Sequence, residues 1–192
     1  IEDKVTYDKV LNLLNSLAPE LRSRVKLYKE QEPIFVHYKI EQEIDRALRR
    51  KVWLPKGGWI GIDVAEALTV IDVNTGKFTS TKSLEDTVLR TNLEAAEEIA
   101  KQLRLRDIGG IIVIDFIDMD NPRHRRQLTA ALKTALEADR MKTRIMHITR
   151  LGLIEMTRKR TGQSLAKQLQ VACPCCEGTG RILSPEAVAG KV

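Results

Sequence analysis

The sequence predicts an α/β fold in which helices cover a mixed β-sheet. Two runs of apolar residues, 68–74 and 111–116, have the length and composition of buried strands. A long segment of helical periodicity, residues 83–105, lies between them. With the flanking patterns, residues 59–168 follow the order hairpin, helix, strand, helix, strand, helix. That alternation is typical of helices packed on a mixed sheet.

The first part of the chain is predicted to be mostly helical. Apolar residues recur at helical spacing in residues 7–17, which end before Pro19. They do so again in residues 34–50, whose C-terminal end is positively charged, as the helix dipole favours. Residues 25–28, between these helices, form a short strand candidate.

A glycine-containing break at residues 55–58 separates this part from the predicted sheet. A hairpin should follow, with strands at residues 59–62 and 67–73. After a polar loop at residues 77–82, Ser83 with an acidic residue three positions later indicates the start of the long helix.

The second half of the chain alternates helices and strands. The long helix should run to about Leu105, with Val88, Ala95, Ile99 and Leu103 facing inward. The remaining predicted elements are a strand at residues 111–116, a helix at 121–138, a strand at 143–149 and a third helix at 154–168.

The composition favours a polyanionic partner. Lys and Arg number 32 against 26 Asp and Glu, which gives a formal net charge of +6 and a pI near 9.3. A merely soluble basic protein would have the same balance. Aromatic residues make up only 4% of the chain, which argues against a base-stacking platform, so phosphate contacts should dominate.

Targeting signals are not evident in the sequence. No apolar run is long enough for a membrane span, and no basic stretch followed by an apolar one opens the chain. We therefore expect a cytoplasmic protein. Because the chain begins at Ile1 rather than at methionine and enters a helical pattern at once, we expect it to be part of something longer.

Each of the two apolar runs carries an aspartate near its C-terminal end. Because side chains alternate along a strand, Asp72 and Asn74 should share a face with Val70, and Asp115 should share one with Val113. If the two strands are neighbours, three oxygen ligands converge at the edge where α/β folds build their sites. Two carboxylates and an amide carbonyl suit a hard divalent ion such as Mg²⁺.

Either aspartate alone has a simpler interpretation. An aspartate at a strand end is often a turn residue or the N-cap of a following helix. The pair is harder to explain in that way, because both aspartates come at the C-terminal end of an apolar strand and are followed by turn residues.

All three cysteines lie in one short segment near the C-terminus. Cys173 and Cys176 form a C-x-x-C pair followed by glycines, which is half of a zinc-ribbon-like site. Since structural zinc takes four ligands and the three histidines are scattered, two chains could each contribute this pair to one ion, with Cys175 as a spare thiol. A redox dithiol and an inert pair of thiols are the alternatives.

Several long motifs together resemble the ribonuclease E/G family. They are residues 90–96, 102–107 and 109–119, and the terminal C-P-x-C-x-G-x-G pattern at 173–180. The resemblance runs over nearly the whole chain. It implies a partial RNase H-like segment at residues 1–51, a DNase I-like catalytic subdomain at 52–168, a zinc link at 169–183 and a tail at 184–192.

The resemblance also implies roles for particular residues. Asp72 and Asp115 would be the magnesium-binding aspartates, Asn74 would support that site, and Cys173 and Cys176 would form a zinc link between two protomers. The implied partners are single-stranded RNA and a second copy of the chain, with a dimer of dimers also open. From the basic residues, we expect phosphate contacts at Arg104, Arg106, Arg123, Lys142 and Arg158, with Arg123 and Lys142 favoured because they should flank the same strand ends as the aspartates.

The expected activity is Mg²⁺-dependent endonucleolytic cleavage of single-stranded RNA in RNA processing and decay, including rRNA processing and mRNA decay. By resemblance it leaves 5′-phosphate and 3′-hydroxyl ends. In that family an S1 RNA-binding domain and a 5′-monophosphate pocket lie upstream, so we expect weak cleavage with little distinction between 5′ ends. The alternatives are a non-catalytic RNA-binding or assembly module clasped by zinc, and a metal-dependent phosphoesterase acting on small phosphates.

Overall fold

The computed structural model describes residues 1–76, 84–149 and 152–189. Within it the chain divides into two compact units, Ile1–Arg46 and Ala47–Val192. The polar loop predicted at residues 77–82 and the predicted cap Ser83 lie outside the described residues. The division into RNase H-like, DNase I-like and zinc-link segments stays a prediction.

The first unit is helical and has no buried side chain among its residues 1–46. The helix predicted at residues 34–50 is interrupted at Lys39, which takes a left-handed φ of 57°. Residues 25–28 do not form a strand. Instead, the backbone of this segment forms hydrogen bonds with the backbone of Ile1. The helices are α1 (Lys4–Leu17), a 3-10 helix (Pro19–Arg24), α2 (Ile34–His37) and α3 (Ile40–Ala47), the last reaching the unit boundary.

The second unit is built on a six-stranded mixed sheet with the strand order β1-β2-β3-β4-β6-β5. Only β3 and β4 are parallel, and the other neighbouring pairs are antiparallel. The α/β prediction is therefore confirmed. The elements are β1 (Lys51–Trp53), β2 (Trp59–Val64), β3 (Leu68–Asn74), α4 (Leu84–Leu105), β4 (Gly110–Asp115), α5 (Pro122–Leu136), β5 (Thr143–Ile148), β6 (Leu153–Arg158), α6 (Leu165–Leu169) and α7 (Pro185–Ala189).

The third helix predicted at residues 154–168 is wrong. Residues 153–158 form strand β6, which lies between β4 and β5, and only Leu165–Leu169 is helical further on. In β6 the buried residues Ile154 and Met156 alternate with the exposed residues Glu155 and Thr157. A period of two is the signature of a strand with one covered face, and it was present in the sequence.

Helices α4 and α5 pack against one face of the sheet and enclose the core. The predicted inward face of α4 is confirmed, since Ala95, Ile99 and Leu103 are fully buried and Val88 is nearly so. The opposite face, here called the open face, carries exposed apolar side chains at Trp53, Val70, Ile111 and Met146.

The strand directions give the sheet two chemically different edges. The aspartate edge is formed by the C-terminal ends of β3 and β4, at Asn74 and Asp115, and by the first residue of β6, Leu153. The arginine edge, at the other ends of the same strands, contains Gly110 and Arg158. No helix of the described residues is both long enough and apolar enough to cross a membrane.

Candidate active site

Asp72 and Asp115 lie directly opposite each other on neighbouring strands. They are register partners in the parallel β3–β4 pair, and both project onto the open face. Asn74, two residues along β3 on the same face, donates a hydrogen bond from Nδ2 to Asp72 Oδ2 over 2.6 Å. The three residues that the sequence singled out are therefore neighbours in the fold.

The electrostatics of this group favour a cation. Burial raises the pKa of Asp115, and the negative charges of Asp72 and Asp118 raise it further. The guanidinium group of Arg50 is committed to Asp63, with 2.6 Å between Nη2 and Oδ2. Within the described residues, neither Asp72 nor Asp115 forms an ion pair.

The turn between β1 and β2 packs tightly against the end of β3. A Cβ atom at Gly58, where φ is +86°, would lie 2.6 Å from the carbonyl oxygen of Asn74. A Cβ atom at Gly76 would lie 2.8 Å from the backbone nitrogen of Gly58. Only glycine fits such close approaches, so these two residues hold the backbone around Asn74 in place.

A buried asparagine in α4 holds the segment that follows Asp115. Asn92 is fully buried, donates from Nδ2 to the Ile117 carbonyl oxygen over 2.8 Å, and accepts at Oδ1 from the Ile117 backbone nitrogen over 3.1 Å. Glu94, two residues further along α4, pairs with Lys56 of the β1–β2 turn at 3.1 Å. Sequence reasoning gave these residues no role, although a buried amide inside an apolar helix pattern was a usable signal.

The donor set fits a hard divalent ion. Two carboxylates and one amide oxygen are available on one face, and Mg²⁺ usually keeps several waters in addition to one or two protein carboxylates. The described residues contain no group of three or more His, Cys, Asp or Glu side chains arranged to hold a metal. A site here would therefore rely on water or substrate oxygens for its remaining ligands.

The basic residues predicted to bind phosphate lie at both edges. Arg123 is exposed at the start of α5, just after the loop that follows Asp115, and so lies near the aspartate edge. Lys142, expected at that edge, precedes β5 and lies at the arginine edge, because β5 runs in the same direction as β4. The error arose because α5 returns the chain to the end of the sheet where β4 starts, so the residue that precedes β5 lies opposite the end that carries Asp115.

The other three predicted phosphate contacts lie at the arginine edge, near the end of α4 and the end of β6. Arg104 is exposed there and donates to the Ala135 carbonyl oxygen over 3.3 Å. Arg106 is buried, and its Nε donates a hydrogen bond to Gln102 Oε1 over 2.8 Å. Burial lowers the pKa of its guanidinium group. Arg158 is occupied inside the protein, so its guanidinium group is not presented to a ligand.

Arg158 lies between two carboxylates. Its Nε donates to Asp139 Oδ2 over 2.7 Å and its Nη1 to Asp107 Oδ1 over 2.8 Å. Nη1 also reaches the Ile108 carbonyl oxygen over 3.0 Å. Burial raises the pKa of Asp139, but the hydrogen bonds from Arg158 and the Met141 backbone outweigh it and hold that pKa below its ordinary value.

The cysteine segment forms a compact turn. The backbone N–H groups of Cys175 and Cys176, together with the Cys176 side chain, lower the pKa of the Cys173 thiol. The Thr179 backbone nitrogen donates to the Cys176 carbonyl oxygen over 2.8 Å, and Glu177 takes a left-handed φ of 50° to close the turn. A lowered pKa favours the thiolate form of cysteine, which is the form that binds zinc.

Comparison with known proteins assigns the family. The model of the ribonuclease E/G family matches residues 1–161. The chain belongs to the ribonuclease E/G family. Over all 192 residues it is 46% identical to ribonuclease G of Salmonella typhimurium (strain SL1344) and 45% identical to ribonuclease G of Escherichia coli (strain K12).

A second type of family member is similarly close. Over 171 residues, which are 89% of its length, this chain is 48% identical to ribonuclease E of Escherichia coli (strain K12). The chain spans 39% of the length of these ribonuclease G proteins and 16% of that ribonuclease E. The aspartates, Asn92 and the cysteine segment all lie within the region aligned with ribonuclease G.

Proposed function

We propose that this chain carries the catalytic centre of a Mg²⁺-dependent endoribonuclease that cleaves single-stranded RNA and leaves 5′-phosphate and 3′-hydroxyl ends. The observation that carries the proposal is the opposition of Asp72 and Asp115 on the open face. Family membership supports RNA as the substrate, and the net charge of +6 suits a polyanion. Roles in RNA processing and decay, and a cytoplasmic location, stay predictions.

Each residue of the centre has a separable task. Asp72 and Asp115 would hold the ion, Asn74 orients the Asp72 carboxylate through its 2.6 Å hydrogen bond, and Asn92 fixes the backbone beyond Asp115. A bound magnesium ion supplies positive charge that polarises the scissile phosphate and lowers the pKa of the attacking water. Arg123, exposed at the same edge, is the predicted phosphate contact that can still reach the substrate.

Cleavage of a labelled, A/U-rich single-stranded oligonucleotide tests the proposal. We expect cutting with Mg²⁺ and none with EDTA. Asp72→Asn and Asp115→Asn should each lower the cleavage rate by about a hundredfold or more while RNA binding persists, because charge stabilisation is lost and phosphate contacts are kept. The 5′ ends of the products should be substrates for direct ligation.

Glu155→Gln is the matched control. Glu155 is an exposed carboxylate on the same face, one strand away and opposite Val113, and it does not belong to the aspartate pair. Its loss should leave cleavage unchanged. Equal loss of activity in all three variants, or full activity in Asp115→Asn, would rule out the proposed centre and favour a non-catalytic RNA-binding module.

We propose further that Cys173 and Cys176 bind one zinc ion together with the same pair of a second copy. Two thiolates from each chain complete the four ligands of a structural site. Metal analysis should give about one zinc per two chains. Chelation or Cys173→Ser should produce monomers in sedimentation, whereas Cys175→Ser should leave the dimer intact; one ion per chain would contradict the shared site.

A further inference from the structure

Both tryptophans of the chain lie at one corner of the open face, beside the aspartate pair. Trp53 and Trp59 are register partners across β1 and β2, and Trp59 is the register partner of Asn74 across β2 and β3. Since neighbouring strands are about 4.8 Å apart, Trp59 lies about 5 Å and Trp53 about 10 Å from Asn74, backbone to backbone. The two rings therefore border the proposed catalytic centre.

The next row of register partners joins this corner to the aspartates. It runs from Lys51 through Gly61 to Asp72 and Asp115. The Lys51 Nζ atom lies 4.1 Å from the ring centroid of Trp53 and 4.1 Å from that of Trp59. A single ammonium group thus bridges both rings and adds positive charge next to the site.

A structural role explains the presence of Trp59 in the sheet, but no such role explains Trp53. A Cβ atom at Gly61 would lie 3.1 Å from the Trp59 ring, so this ring covers the glycine in the strand. Trp53 is 67% exposed, at the outermost strand of the sheet, and therefore adds little to the core. An exposed indole that carries a cation beside a candidate phosphate site is suited to a ligand with both a flat ring and negative charge.

We propose that Trp53 and Trp59, bridged by Lys51, form a stacking site for a base of the single-stranded RNA flanking the scissile phosphate. This inference rests on the proposed function and specifies how the substrate is held. The aromatic faces give base stacking without sequence preference, and Lys51 pairs with the backbone. It departs from the expectation drawn from the low aromatic content, because the two tryptophans of the chain are register partners beside the proposed site.

Intrinsic fluorescence provides a direct test, since both tryptophans report on this one corner. The 192-residue chain is titrated in EDTA with an A/U-rich single-stranded oligonucleotide and with an abasic backbone of equal length. We expect quenching by the RNA and little by the abasic chain. Trp53→Ala should weaken RNA affinity by about 5- to 100-fold, as for loss of one base–aromatic stack, and Trp53→Phe should keep most of it.

Ile111→Ala is the matched control, because Ile111 is 52% exposed on the same face but near the arginine edge, and its loss should leave affinity unchanged. Far-UV circular dichroism of Trp53→Ala confirms that its fold is intact. Equal affinities for RNA and the abasic chain, or unchanged binding by Trp53→Ala, would overturn the stacking site. The stacking site would also be overturned if Trp53→Ala changed only the oligomeric state, seen in sedimentation as the loss of a protein dimer.

Failure of this inference and failure of the nuclease proposal give different results. If Mg²⁺-dependent cleavage depends on Asp72 while Trp53→Ala binds RNA normally, the stacking site alone is wrong. If the RNA quenches fluorescence and Trp53→Ala weakens binding, but no variant of the aspartates alters cleavage, the stacking site stands and the proposed catalytic centre is wrong.

Discussion

The two edges of the sheet use paired aspartates in opposite ways. At the arginine edge, Asp107 and Asp139 share the guanidinium group of Arg158, whose side chain is only 3% exposed. At the aspartate edge, Asp72 and Asp115 face each other and form no ion pair within the described residues. The first arrangement satisfies its charges internally, whereas the second keeps them available for a ligand.

The difference separates a structural ion-pair site from the proposed functional site. Asp139 has its pKa lowered by a permanent partner, while Asp115 has its pKa raised by burial and by like charges. Groups whose charges are not compensated by the protein are typical of active sites, because a ligand must supply the missing charge. Under the proposed function, the uncompensated charges at the aspartate edge would lower the stability of the metal-free protein and would be neutralised by a bound cation.

Lowering the pH should change the stability contributed by the two edges in opposite directions. The stability from Asp139 is present above the ordinary carboxyl pKa of 3.8 and is lost as the pH falls through its lowered pKa. The repulsion at Asp115 is present at neutral pH and is relieved as the pH falls through its raised pKa. The variants below break one edge at a time.

The largest effect is expected when the arginine edge is broken. Arg158→Met leaves Asp139, with 3% of its side chain exposed, as a buried charge without its main partner. We expect the free energy of unfolding to fall by about 3–5 kcal/mol. Urea unfolding measures this change, and Arg158→Met/Asp139→Asn should recover part of it because the unpaired charge is removed.

Arg144→Met is the control for that experiment. Arg144 is exposed on β5, and the same substitution there should change stability by no more than about 0.5 kcal/mol. An Arg158→Met variant as stable as Arg144→Met would show that the buried pair contributes nothing, and the contrast between the two edges would fail.

An intermediate effect is expected from Asn92, which braces the aspartate edge from α4. Asn92→Ala removes both hydrogen bonds to Ile117 and should cost about 1–3 kcal/mol. It should also lower the cleavage rate, because the backbone two residues beyond Asp115 loses its support. Chemical unfolding and single-turnover cleavage below the unfolding range measure the two effects.

Gln102→Ala separates positioning from general destabilisation. Gln102 is a buried polar residue on the same helix, but its partners Glu98 and Arg106 lie toward the arginine edge. We expect a similar loss of stability with an unchanged cleavage rate. If both variants lower cleavage equally, Asn92 has no special positioning role.

The smallest effect, with the opposite sign, is expected at the aspartate edge. Asp115→Asn removes the repulsion with Asp72 and Asp118, so the melting temperature of the metal-free protein should rise slightly at pH 7. The gain should vanish as the pH falls through the raised pKa of Asp115. Mg²⁺ should raise the melting temperature of the wild type but not that of Asp115→Asn, as calorimetry will measure.

Local patterns were sufficient to predict most of the elements and part of the site. Alternation along a strand placed Asp72 with Asn74, and the apolar stripe of α4 predicted its buried face. The helix predicted at residues 154–168 was wrong: the period of two in residues 153–158 was present in the sequence, but so short a run does not exclude a helix until its strand partners are known. That error hid the burial of Arg158, whereas Lys142 was assigned to the wrong edge because α5 returns the chain to the other end of the sheet before β5 begins.

The sequence by itself determined which residues alternate, where the chain turns, and that acidic side chains end two apolar strands. The tertiary structure alone decided that β3 and β4 are parallel neighbours, that β6 lies between β4 and β5, and that Trp53 joins the row of Asn74. The physical reason is that periodicity is a property of adjacent residues. Strand order and register depend on pairing between distant segments, which no local window contains.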